Sequence, residues 1–135
     1  MNSFLIASTS RRKTVLLVGR DQAYWESLAN APELSGYLIE FAHDAVHGLR
    51  KIEDIQPDLV ICDHASSSRP SCGELLLARI QGAYPQYWNI PFLFLATGQA
   101  EQTKQGGGAG RSRMLQIPKP SDFQKFKKIL ENFLD

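Results

Sequence analysis

Short apolar runs alternate with amphipathic helical segments along the 135 residues, and this alternation predicts an α/β domain with a parallel sheet between two helical layers. The clearest single sign is Pro57 to Asp63, PDLVICD. Its centre, Leu59, Val60, Ile61 and Cys62, is unbroken apolar sequence rich in β-branched residues, the pattern of a strand buried on both faces. Asp63 ends that strand, where a carboxylate is better placed for chemistry than for packing, because burying it unpaired is costly.

The remaining elements follow in order. Lys13 to Val18, KTVLLV, is an apolar run of strand length that Gly19 ends. Asp21 can cap a helix through about Asn30, with Tyr24, Trp25 and Leu28 on one face. Pro32 and Gly36 break that helix, and Tyr37 to Ala42 is predicted as a strand. Asp44 starts a helix whose Ala45, Leu49 and Ile52 form an apolar stripe ending before Pro57.

After Asp63, HASSSRPS is polar enough to be loop, and GELLLARI is predicted as a helix covering the sheet with Leu75, Leu76 and Ile80. QGAYPQYWN is expected to be a connection, and Pro91 to Ala96 a further buried strand. Thr97 to Arg113 holds almost no apolar residue and four glycines within five positions, so any helix there is expected to be short or frayed. Met114 to Ile117 makes a last short strand. Phe123, Phe126, Leu130 and Phe133 stripe a closing helix that Asp122 can help start.

Length and composition bound the possibilities. The chain is about one domain long, and at this size folding buries roughly two thirds of the unfolded surface. An apolar content of 43% with a net charge of +1 gives no pull toward nucleic acid or membrane. No apolar run approaches a membrane span, and MNSFLIASTS lacks the basic region of a secretory signal, so residues 1–12 are expected to be a flexible extension ahead of a domain over 13–135. Cys62 lies in a strand and Cys72 in a predicted loop, without metal or redox spacing; a reduced, cytoplasmic protein is expected.

Five strands alternating with about five helices fit a doubly wound, flavodoxin-like sheet of order 2-1-3-4-5, with helices on both faces. In that order the first and third strands are neighbours, so Gly19, Arg20 and Asp21 face Asp63, while Thr97 and Lys119 rim the same crevice. A carboxylate nucleophile, a hydroxyl and an ammonium around one crevice suit binding or accepting a phosphoryl group. Magnesium usually needs at least one or two carboxylates, and besides Asp63 only Asp21 is at hand. Each residue also has a plainer reading: Asp63 paired with Arg20 or Lys119, Thr97 a strand-end hydroxyl, Cys62 a small buried apolar residue, and His43, His47 and His64 surface imidazoles. Gly106 to Gly110 is not a phosphate-binding loop, because no strand leads into it and no GK[ST] follows.

From Lys13 to Asp135 the chain resembles the CheY-like receiver domains of bacterial two-component response regulators. PDLVICD is close to the family's third-strand motif and places Asp63 on the phosphorylated aspartate. AHDAVHGL matches the start of the second helix, with Gly48 at a usually small position, GELL resembles the start of the third helix and IPFLFLAT the fourth strand. IPKP places Lys119 on the family's lysine. The resemblance implies a signalling domain, not an enzyme, with a histidine kinase or a downstream signalling protein as partner, and magnesium as cofactor if Asp63 accepts phosphate.

The departures from the family lie around the site. Gly19 and Arg20 stand where receivers carry two adjacent acids, the second a direct metal ligand, so Arg20 is expected to substitute for that ligand by pairing with Asp63. Ala96 aligns with the family's hydroxyl residue, with Thr97 one residue on, and Gln116 stands at the aromatic switch position. The loop after Asp63 is longer than usual, with Ser67 where proline is common, and the glycine-rich run replaces the fourth helix. The expected function is therefore a degenerate receiver that acts through protein–protein interaction and uses no cofactor. The alternatives are a receiver phosphorylated on Asp63 and, more distantly, a small flavodoxin-like enzyme or nucleotide binder.

Overall fold

In a computed structural model of the protein, described over residues 12–63, 71–96, 114–118, 120 and 122–134, the apolar runs form five strands. These are β1 (Lys13–Val18), β2 (Tyr37–Ala42), β3 (Leu59–Asp63), β4 (Phe92–Ala96) and β5 (Met114–Pro118). All neighbouring pairs are parallel, in the order β2-β1-β3-β4-β5. Helices α1 (Gln22–Ala29), α2 (Ala45–Ile55), α3 (Cys72–Ala83) and α4 (Phe123–Leu134) complete the described elements. The expected α/β class is found. The glycine-rich run, and residues 1–11 of the expected extension, lie outside the described residues. Among the described residues no helix is long and apolar enough to cross a membrane.

Strand periodicity divides the core into two layers. Val15, Leu17, Leu59, Ile61, Leu93 and Leu95 face α1 and α4, where Trp25, Leu28, Phe126 and Leu130 close over them. The alternate residues Leu16, Val18, Val60, Cys62, Phe92 and Phe94 face α2 and α3, meeting Leu49, Ile52, Leu76, Leu77 and Ile80. Val60, Ile61 and Leu59 are wholly buried, each contributing roughly 1.5–3 kcal/mol relative to exposure. The start of β3 is tied to β1 by Asp58, whose Oδ2 accepts from Thr14 N at 2.9 Å and whose N donates to Thr14 O at 2.8 Å.

Helix ends follow side-chain chemistry. Asp21, Asp44 and Asp122 accept from Tyr24 N, His47 N and Lys125 N at 3.3, 2.7 and 2.8 Å, each relieving an otherwise unpaired donor of a first turn. Helix α2 ends on Gln56, which takes a left-handed conformation at φ 46° before Pro57 stops the chain from continuing. Ser71 and Glu74 form a reciprocal capping box at the head of α3, with Glu74 N donating to Ser71 Oγ at 3.1 Å and Ser71 N donating to Glu74 Oε1 at 2.8 Å.

That box corrects several expectations. Cys72 is the first residue of α3, not a loop residue, and the helix runs through Gly82 to Ala83, so the connection is shorter than expected and holds only a 3₁₀ turn at Pro85–Tyr87. Its start also sets the helix phase, turning Leu77 to the sheet and leaving Leu75 50% exposed. In α4, Phe133 is 38% exposed, and Ile129 and Leu134 take its expected place against the core.

Candidate functional site

The pairing of β1 with β3 sets Val18 beside Cys62, so the residues that end these strands, Gly19 and Asp63, come together at the carboxyl edge of the sheet. Gly19 N donates to Ala42 O at 3.0 Å, which holds its backbone against β2. The approach is very close. A Cβ on residue 19 would fall on Asp63 Oδ2, 2.7 Å from Asp63 Cγ and 3.1 Å from Trp25 Cζ2. Glycine is therefore required for the carboxylate to lie where it does, and the place of the family's first acid is filled by Asp63 and the Trp25 ring.

The two following residues are both exposed. Arg20 is exposed, and its carbonyl accepts from Gln22 N at 2.8 Å. Among the described residues the ion pair formed is Lys51 Nζ with Glu40 Oε1 at 2.6 Å, and none joins Arg20 to Asp63. The expected Arg20–Asp63 pair is absent because an exposed arginine at a strand end gains more from hydration than from ordering its side chain onto a carboxylate. Asp21 has a structural task as the cap of α1, accepting at its Oδ1 from Tyr24 N.

Tyr24 was not singled out for chemistry by its sequence position, yet it joins the site. Burial, then the charges of Asp63 and Asp21, push its phenol up to about 12, so the hydroxyl stays protonated beside the two carboxylates. Its ring lies 5.4 Å from that of Trp25, tilted by 49°. Trp25 is 1% exposed, and its indole Nε1 is buried with no hydrogen-bond partner. Both residues were legible as one helix face; only the packing of α1 over β1 and β3 brings that face to Asp63.

On the opposite layer, Cys62 is buried against Gly73, where an added Cβ would fall on its Cβ and Sγ. Burial first, then the nearby Asp63, Cys72 and Glu74, push its thiol well above the ordinary range, leaving it the inert apolar residue expected. Gly48 lets α2 approach α3, since a Cβ there would lie 2.9 Å from Leu76 Cδ2. The rings of His43 and His47 lie 4.6 Å apart.

Of the other candidate residues, Thr97, Lys119, His64 and Ser67 lie outside the described residues. The described donors do not fit a divalent cation in the receiver manner: position 19 has no side chain and no room for one, Arg20 carries the wrong charge, and Asp21 caps a helix. Among the described residues no group of three His, Cys, Asp or Glu is placed to hold a metal ion.

Comparison with known proteins points one way. No protein-family model matches the chain. A segment of 49 residues, 36% of the chain, is 39% identical to the response regulator MprA of Mycobacterium ulcerans, and that segment spans only 21% of MprA. Among solved structures, the chemotaxis response regulator CheY4 of Vibrio cholerae superposes with a TM-score of 0.70 at 23% identity, over 91% of this chain and 99% of that one. A two-component response regulator from Clostridium difficile gives 0.64 at 16% identity over 91% and 96%. The receiver domain of the hybrid histidine kinase CckA gives 0.62 at 22% identity over 90% and 99%. Together with the strand order and the position of Asp63 at the end of β3, these likenesses give the chain the fold of the CheY-like response-regulator receiver domains.

Proposed function

We propose that this chain is a receiver-like signalling domain of a two-component phosphorelay, and that it works as a degenerate receiver, through protein–protein contact and not through phosphorylation of Asp63. The observation that carries this reading is the contact of Gly19 with Asp63 and Trp25, which leaves no room for a carboxylate at the first acidic position. Arg20 supports it: the second acidic position is a cation facing solvent. With Asp21 engaged as a helix cap, Asp63 would have to bind magnesium nearly alone, where the ion ordinarily needs carboxylates and near-ideal octahedral geometry.

On this reading the domain is not an enzyme and uses no metal. Its partner is a histidine kinase or a downstream signalling protein, in keeping with the response-regulator and hybrid-kinase proteins it is similar to. A cytoplasmic location suits that partner, and residues 13–135 suffice for the fold.

The test is intact mass after incubation with acetyl phosphate, with and without magnesium. The expected result is no added phosphoryl group. Magnesium-dependent labelling that Asp63→Asn abolishes would establish the other receiver reading, with Asp63 as phosphoacceptor.

A further inference from the structure

Among the described residues of the site, Trp25 is the one whose burial leaves a polar group without a partner: it is 1% exposed, and its Nε1 makes no hydrogen bond. Native structures rarely leave a buried donor without an acceptor, and such a donor calls for an explanation. Covalent geometry says how near this one lies. Cζ2, the atom that meets Gly19, is bonded to Cε2, and so is Nε1; the unpartnered N–H is therefore two bonds from the ring atom that lines the corner beside Gly19. The Asp63 carboxylate lies against the same corner, and Nε1 does not donate to it.

We propose that Trp25 decides what the Asp63 crevice admits: its indole fills the corner beside Gly19, next to the Asp63 carboxylate, and so keeps a divalent cation out. This rests on the degenerate reading and supplies its cause. A metal would bring charge and water into the corner. An indole brings bulk and apolar surface, which exclude both without supplying a charge to the carboxylate. Trp25 is thus a positioning residue, acting on the Asp63 site by exclusion.

Two measurements on the full chain test this. The first is the ¹H–¹⁵N resonance of the Trp25 indole in the wild type and in Asp63→Asn. The expected result is a clear displacement of that resonance, with the Trp88 indole, which donates to Ile80 O at 2.9 Å, unmoved. An unmoved Trp25 resonance overturns the proposal, and the measurement needs no substitution of the core tryptophan.

The second is magnesium affinity, by NMR titration with magnesium chloride, in the wild type, in Gly19→Asp, and in Gly19→Asp with Trp25→Leu. The expected result is millimolar or weaker binding in the first two and a gain of at least about tenfold in the double variant, as a second carboxylate finds room beside Asp63. Equal affinity in the single and double variants, raised or not, overturns Trp25 as the excluding residue while leaving the degenerate reading intact. Tight magnesium binding by the wild type overturns both.

Discussion

Gly19 and Asp63 occupy one space: a methyl group on residue 19 would stand 2.7 Å from Asp63 Cγ, closer than real Cβ atoms approach. Gly19→Ala is therefore expected to lower stability by about 1–3 kcal/mol through overpacking, although alanine usually gains a few tenths by restricting the unfolded chain. With Asp63→Ala the obstructing carboxylate is gone, and only Trp25 Cζ2 at 3.1 Å stays tight. A double-mutant cycle by urea unfolding should show a favourable coupling of about 1 kcal/mol or more between the two substitutions. Additive behaviour would mean that the carboxylate does not lie against Gly19.

Arg20 makes the opposite case. Because it is exposed and not paired with Asp63, Arg20→Ala is expected to change stability by no more than about 0.5 kcal/mol. An arginine holding a partly buried carboxylate would cost clearly more, roughly 1.5–3 kcal/mol for a charged hydrogen bond. Thermal and urea unfolding of the one variant separate these outcomes.

How far the sequence carries can be judged from these residues. The end of β3 was readable because an apolar run closing on an acid has few other meanings in an alternating α/β chain, and the strand order then brought Gly19 to Asp63. The direction of a side chain was not readable. Arg20 follows a strand end, where one backbone turn decides between crevice and solvent, and no pattern encodes that turn. Trp25 and Tyr24 showed only that they share a helix face, since how near that face comes to Asp63 depends on the packing of α1 on the sheet. Three consecutive leucines, Leu75 to Leu77, left the phase of α3 ambiguous at 100° per residue. The signal that resolves it, Ser71 and Glu74 spaced as a capping box, was present in the sequence and points Leu77 inward.

Helix α3 holds two glycines in contrasting surroundings. At Gly73 a Cβ would fall on Cys62 Cβ and Sγ and lie 3.2 Å from Phe94 Cε2, and Cys62 Cβ, bonded directly to the backbone, cannot swing aside. At Gly82 a Cβ would meet nothing within 4 Å. Gly82→Ala is expected to stabilise by up to about 1 kcal/mol through helix propensity, and Gly73→Ala to destabilise by about 1–3 kcal/mol. Circular-dichroism melts should move the two midpoints in opposite directions. Equal shifts would contradict the close seating of α3 on β3.

The pH dependence of the domain is expected to carry the mark of Tyr24. Its phenol is pushed up to about 12, first by burial and then by the charges of Asp63 and Asp21. The unfolded chain ionises a tyrosine near 10, so between those values the unfolded state loses its proton while the folded state retains it. Folding stability is then fully present below about pH 10 and falls as pH rises toward 12. Ultraviolet difference titration should show one tyrosine ionising about two units later than an exposed phenol, and Tyr24→Phe should abolish that late step. Asp63→Asn removes the larger of the two charges acting on the phenol and leaves its burial, so the late step should move down without returning to 10. If Asp63→Asn leaves it in place, the carboxylate does not lie within reach of Tyr24, and the crossing of α1 over the end of β3 must differ from the one described.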